Sequence, residues 1–239
     1  MLLSHYLPKI LTALFGGLFI FAGIYTFGEP LLFDRLFICI LIFTAVICRK
    51  NINVLGVVVI LVAQRLVEET AWSISELEYK DIIKAAFYFF AIAIYWKVKY
   101  DNASRILLIA LFAAIASEFY WIYTKQNAPE IYWYAAHAGF FLFARHLFFM
   151  RVAYMEDLFP NRKIDSINLD WQIYKLSVVF AALQLFMVLE YVARSVFGQT
   201  HIEFVWVTYP YISQLCYTYL VWVIFFESYK LLLPKLLRA

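Results

Sequence analysis

Eight apolar stretches, each about long enough to cross a hydrocarbon core of roughly 30 Å, dominate this chain. They run over 10–27, 31–48, 53–72, 82–98, 106–123, 131–150, 173–196 and 204–226. Barrel strands alternate over about ten residues and would not give such continuous runs. The expected fold is therefore all-α, a polytopic membrane helix bundle of about eight transmembrane helices. Composition points the same way. Of the 239 residues, 65% are hydrophobic and only 15% charged, where soluble domains carry about a quarter charged. So little polar surface cannot cover a water-soluble fold, whereas lipid accepts apolar side chains on the outside.

Most connections are short. Gly28-Glu29-Pro30, Arg49-Lys50-Asn51 and Gln126-Asn127-Ala128-Pro129 read as turns, so sequential helices pack as antiparallel hairpins. One longer connection, 151–172, has Pro160-Asn161-Arg162-Lys163 at its middle. Residues 1–239 read as a single integral membrane domain. The stretch Ile10–Phe27 is taken as a first span and not a cleaved signal, because no small-x-small site precedes Glu29.

Orientation follows from the basic residues. With the N-terminus inside, Lys9, Arg49, Lys50, Lys97, Lys99, Arg105, Arg151, Arg162, Lys163, Lys175, Lys230, Lys235 and Arg238 are cytoplasmic. Only Arg35, Lys80, Lys84 and Lys125 are external, beside the acidic Glu29, Glu76, Glu78, Glu130 and Glu203. The expected location is a bacterial inner (plasma) membrane, multi-pass, with both termini cytoplasmic. The terminal Lys230, Lys235 and Arg238 suit a membrane-surface anchor. Scattered basic residues and a net charge of +3 exclude a nucleic-acid site.

Polar groups inside the spans are the candidate functional residues, since an ionisable side chain in hydrocarbon must be paired, hydrated or put to use. The third span carries Gln64, Arg65, Glu68 and Glu69, the fifth Glu118, the sixth His137, and the seventh Glu190 and Arg194. Counted back from the outer ends at 1.5 Å per residue, they lie on the order of 5–12 Å below the surface. Arg65 to Glu68 and Glu69, and Glu190 to Arg194, have spacings that place each set on one helix face. Intrahelical ion pairs are one expectation. Convergence of these faces of the third, fifth, sixth and seventh spans on a common hydrated cavity is the other, with Glu118, His137 and Glu190 as the candidate cation or proton groups. Carboxylates with an imidazole suit a divalent cation or a proton path, and whether a metal binds is left open. In the eighth span Pro210 allows a kink, and Gln214, one turn on, can line a cavity. Glu69, Glu118 and Glu190 each stand near an outer helix end before aromatic or small residues, which is compatible with a repeated hairpin.

Absences narrow the chemistry. The sequence has no HExxH, GxSxG, Walker or GxGxxG motif, no CxxC and no mid-span lysine. No cofactor is expected. The leading expectation is a transporter or channel for a cation, protons or a small solute, using Arg65, Glu68, Glu69, Glu118, His137, Glu190, Arg194 and Gln214. A membrane assembly or signalling subunit working through helix packing and the 151–172 connection is the alternative. A lipid-acting enzyme with Glu118 and His137 as acid and base comes third. Expected partners are membrane lipids, with a homo-oligomer or membrane-complex partner also in view.

Overall fold

The computed structural model describes residues 17–18, 21–27, 29–49, 51–75, 80–126 and 130–236. Among them the chain is all-helical, with eight helices and no strand. Helix α1 is described at residues 17–18 and 21–25. The others are α2 (Pro30–Ile47), α3 (Ile52–Ser75), α4 (Lys80–Val98), α5 (Ser104–Thr124), α6 (Tyr132–Leu158), α7 (Asn168–Ser195) and α8 (Phe204–Leu236). Several expectations fall outside the described residues: the first part of the Ile10–Phe27 span, the turns around Gly28 and 127–129, and Lys9, Lys50, Glu76, Glu78 and Arg238. So do the side chains of Lys80, Lys230 and Lys235.

Local chemistry fixes the helix ends. Pro30 occupies the first turn of α2, where its missing N–H costs nothing. The Asn51 side chain accepts hydrogen bonds from the N–H groups of Asn53 and Val54 at the start of α3, as a capping residue does. Lys125 closes α5 in the left-handed region at φ 53°, with its N–H on the Trp121 carbonyl. Pro210 does not interrupt α8, which is continuous from Phe204 to Leu236.

The chain forms two compact units. The first comprises Met1–Val62, Phe148–Ile173 and Pro210–Ala239; the second comprises Ala63–Leu147 and Tyr174–Tyr209. In the first unit Phe33 and Phe37 of α2 lie against the Tyr217 ring of α8. Gly23 of α1 sits so close to α8 that an added Cβ would lie 3.0 Å from the Thr218 hydroxyl. The 151–172 connection is shorter than its sequence suggested. Helix α6 runs on to Leu158 and α7 begins at Asn168, leaving 159–167 between them. An ion pair bridges the two helices: Arg151 on α6 is held by Asp170 on α7, with N–O distances of 2.6 and 2.7 Å.

In the second unit, Ala114 and Trp121 of α5 pack with Ile131, Ala135 of α6 and Val188 of α7. Gly139 lets α6 approach α4 closely: a Cβ there would stand 3.8 Å from the Ala91 Cα. Helix α5 is apolar on both faces. Leu107, Ala110, Leu111, Ala114 and Trp121 are buried, while Phe112, Phe119 and Ile122 are 76%, 70% and 72% exposed. Two helices, Ser104–Thr124 and Asn168–Ser195, are long and apolar enough to cross a membrane.

Candidate functional site

Seven of the eight residues singled out in the sequence lie in the second unit; Gln214 lies in the first. They do not form one cluster. Arg65, Glu68 and His137 share one group, and Glu118, Glu190, Arg194 and Gln214 have other partners.

The most enclosed group joins α3 to α6. Arg65 donates through Nη1 to Glu68 Oε2 at 2.7 Å, and Gln64 donates through Nε2 to Glu68 Oε1 at 2.9 Å. His137 Nε2 stands 3.4 Å from Glu68 Oε1. That separation is an electrostatic contact more than a hydrogen bond, and the Nδ1 atom of His137 is buried with no protein partner. The imidazole stacks on Phe141 with centroids 5.1 Å apart and lies 5.2 Å from the Trp133 ring. Glu68 is 4% exposed and Arg65 8%. The spacing of Arg65 and Glu68 brings them together as helix geometry requires. Glu69, one residue on, is exposed.

A second group joins α4 to α5. Lys84 Nζ donates to Glu118 Oε2 at 3.0 Å, and the Tyr88 hydroxyl donates to Glu118 Oε1 at 3.3 Å. The sequence placed Lys84 only among the few external basic residues. A signal for its partner was present: Lys84 and Glu118 are seventeen residues on either side of Asp101, which lies in the α4–α5 turn. In an antiparallel hairpin, positions equidistant from the turn face each other.

Glu190 corrects an expectation. It does not pair with Arg194. Its carboxylate accepts the backbone N–H groups of Val205 at 2.5 Å and Trp206 at 2.9 Å, and so serves the N-terminus of α8. Those donors have no partner within the helix, and they lie at the positive end of its dipole. Arg194 turns instead to Glu203 at 2.9 Å. Glu118, His137 and Glu190 thus each meet a different partner. Among the described residues no three His, Cys, Asp or Glu side chains gather as metal ligands would.

Gln214 donates through Nε2 to the Gly23 carbonyl, with Thr26 Oγ1 at 3.4 Å, so it ties α8 to α1. Sequence reasoning also missed Gln184. It is 1% exposed and donates to the Tyr209 hydroxyl at 2.8 Å. The Tyr209 ring lies 6.2 Å from that of Tyr134, which stacks on Tyr191 with centroids 5.6 Å apart.

Asp101 and Arg145 form a further pair at 2.7 Å. Arg145 also donates to the Tyr174 carbonyl at 2.6 Å and lies over that residue's ring. Partial burial pushes the Asp101 carboxyl up. The Arg145 guanidinium and the Ala103 N–H outweigh that and hold it below the ordinary carboxylate range. A depressed folded value adds stability above the unfolded carboxylate pKa of about 3.9. That stability is lost as the pH falls through the folded value. Thermal melts from pH 7 down to pH 3 should therefore show a shallower acid decline for Asp101→Asn than for the unaltered chain. Equal declines would contradict this account.

Taken together, these features define an all-helical protein with two helices able to cross a membrane, charged side chains buried in pairs, and large apolar side chains facing outward. No known family, curated protein or solved structure matches the chain.

Proposed function

We propose that the chain is a multi-pass plasma-membrane protein with both termini cytoplasmic, and that it couples proton binding at His137 to movement of a small anion. Membrane placement is supported by an inverted pattern. Arg65, Glu68, Arg151, Asp170 and Glu190 are buried, while Phe89, Phe112, Phe119 and Phe149 are exposed. Water would expel that arrangement, and lipid accepts it. Helix α3 carries three charges, and α6 and α8 are rich in Tyr, Trp and Phe in place of aliphatic residues. Such helices cross when their polar groups are met inside the protein.

The observation that carries the coupling is the enclosed Arg65–Glu68–His137 group. With the imidazole neutral, the Arg65 and Glu68 charges cancel. A proton on His137 leaves one net positive charge among Trp133, Phe140 and Phe141. Water entering the group, or an anion binding to it, then relieves the cost of that charge. Proton and anion thus favour the same opened state, which is the thermodynamic condition for coupling. Proteoliposomes carrying an entrapped pH dye test this. An outward-to-inward gradient of a small carboxylic acid's anion should drive internal acidification. His137→Phe should slow it about a hundredfold or more, the scale of a general acid–base contribution. Equal rates for the two proteins would remove His137 from the mechanism.

A further inference from the structure

Between α4 and α5 lies a groove of about 540 Å³, distinct from the Arg65–Glu68–His137 group. Its walls include Ala85, Ile115, Phe119 and Ile122, and the Lys84–Glu118 pair lies along it. Asp81, Lys125 and Gln126 also line it. Two acids and two bases therefore line one largely apolar cleft. Lys84 and Glu118 are not sealed: their side chains are 25% and 12% exposed.

We propose that this groove is a binding site for a zwitterionic aminophospholipid headgroup. The charge pattern is what selects it. A phosphate can accept from Lys84 Nζ, which has three donors and gives one to Glu118, and from Lys125. A primary ammonium can donate to Asp81 and Glu118. An anionic headgroup would meet the two carboxylates without an ammonium to satisfy them. A quaternary ammonium has no N–H to donate. The acyl chains have a track to follow, since Phe112 and Phe119 of α5 and Phe89 of α4 are exposed apolar side chains on the two helices that form the groove. The cleft volume lies within the usual range for small-molecule sites, about 300–1,000 Å³. Lys84 and Glu118 then hold each other ready between lipids, so neither charge is stranded when the groove empties.

This inference rests on the membrane reading but not on proton coupling. The test is native mass spectrometry of the full chain released from micelles containing equal amounts of phosphatidylethanolamine, phosphatidylcholine and phosphatidylglycerol. Phosphatidylethanolamine should be retained over the other two. Glu118→Gln should weaken that retention about tenfold, the loss of one charge-assisted hydrogen bond. Should that variant not fold, the exposed pair decides: Asp81→Asn with Lys125→Asn, the second chosen because asparagine tolerates the left-handed backbone at this position. Equal retention of all three lipids, or full retention by the exposed-pair variant, overturns the proposal. A chain recovered in the soluble fraction without detergent overturns the membrane reading itself, before lipid is added. Absent proton flux with a preserved lipid preference would sink only the coupling.

Discussion

Replacing Arg151 by Met should lower the stability of the folded chain by about 3–5 kcal/mol, among the largest effects of any single substitution. The Arg151 side chain is fully buried and that of Asp170 nearly so, at 0% and 10%. Two parallel N–H···O bonds of 2.6 and 2.7 Å join them, and Arg151 Nη2 also donates to the Asp165 carbonyl at 2.8 Å. Removing the cation leaves the Asp170 carboxylate buried without its charge partner. Asp170 also accepts the Ile167 N–H at 2.9 Å and sits in the first turn of α7, where a negative charge suits the helix dipole. The double variant Arg151→Met with Asp170→Leu should therefore recover most of the loss but not all. It leaves two backbone groups, the Asp165 carbonyl and the Ile167 N–H, to find other partners at about 1 kcal/mol or more each. Denaturant melts of the purified chain in micelles read both numbers. A single-variant loss near zero would mean that water already reaches the pair.

The sequence made the helices legible, because long apolar runs bounded by turn residues admit few other readings. Arg65, Glu68, Glu118, His137 and Glu190, which the sequence singles out across four helices, all lie in one compact unit. What it did not make legible was partner choice. Glu190 and Arg194 have the spacing of an intrahelical pair, yet the free N–H groups at the start of α8 offer Glu190 two short bonds that a flexible arginine does not match. Spacing along one helix says who can meet. It does not say who else is present. Arg151 and Asp170 went unpaired in the sequence for the same reason, since the connection between them was taken to be longer than it is. The hairpin centred on Asp101 is the counter-example: there, symmetry about the turn alone points Lys84 at Glu118.

Glu68→Leu should be nearly as damaging as Arg151→Met, again by about 3–5 kcal/mol, because it leaves the Arg65 charge buried without its carboxylate. Gln64 loses its acceptor at the same time. Glu69→Leu, one position along the same helix, should change stability little, since Glu69 is exposed. The informative variant is the double one, Arg65→Met with Glu68→Leu. An apolar pair of similar size avoids the desolvation cost of both ions and is often as stable as the ion pair it replaces. If the charges serve packing alone, this variant folds and the purified chain behaves as before in every assay. On the coupling reading it folds but does not acidify proteoliposomes. Without Glu68 the imidazole of His137 loses the carboxylate that stands 3.4 Å away. Without Arg65 a bound anion loses its fixed cation. A stable double variant with unchanged proton flux would assign the Arg65–Glu68 pair to the scaffold and leave His137 without the charge environment on which its proposed role depends.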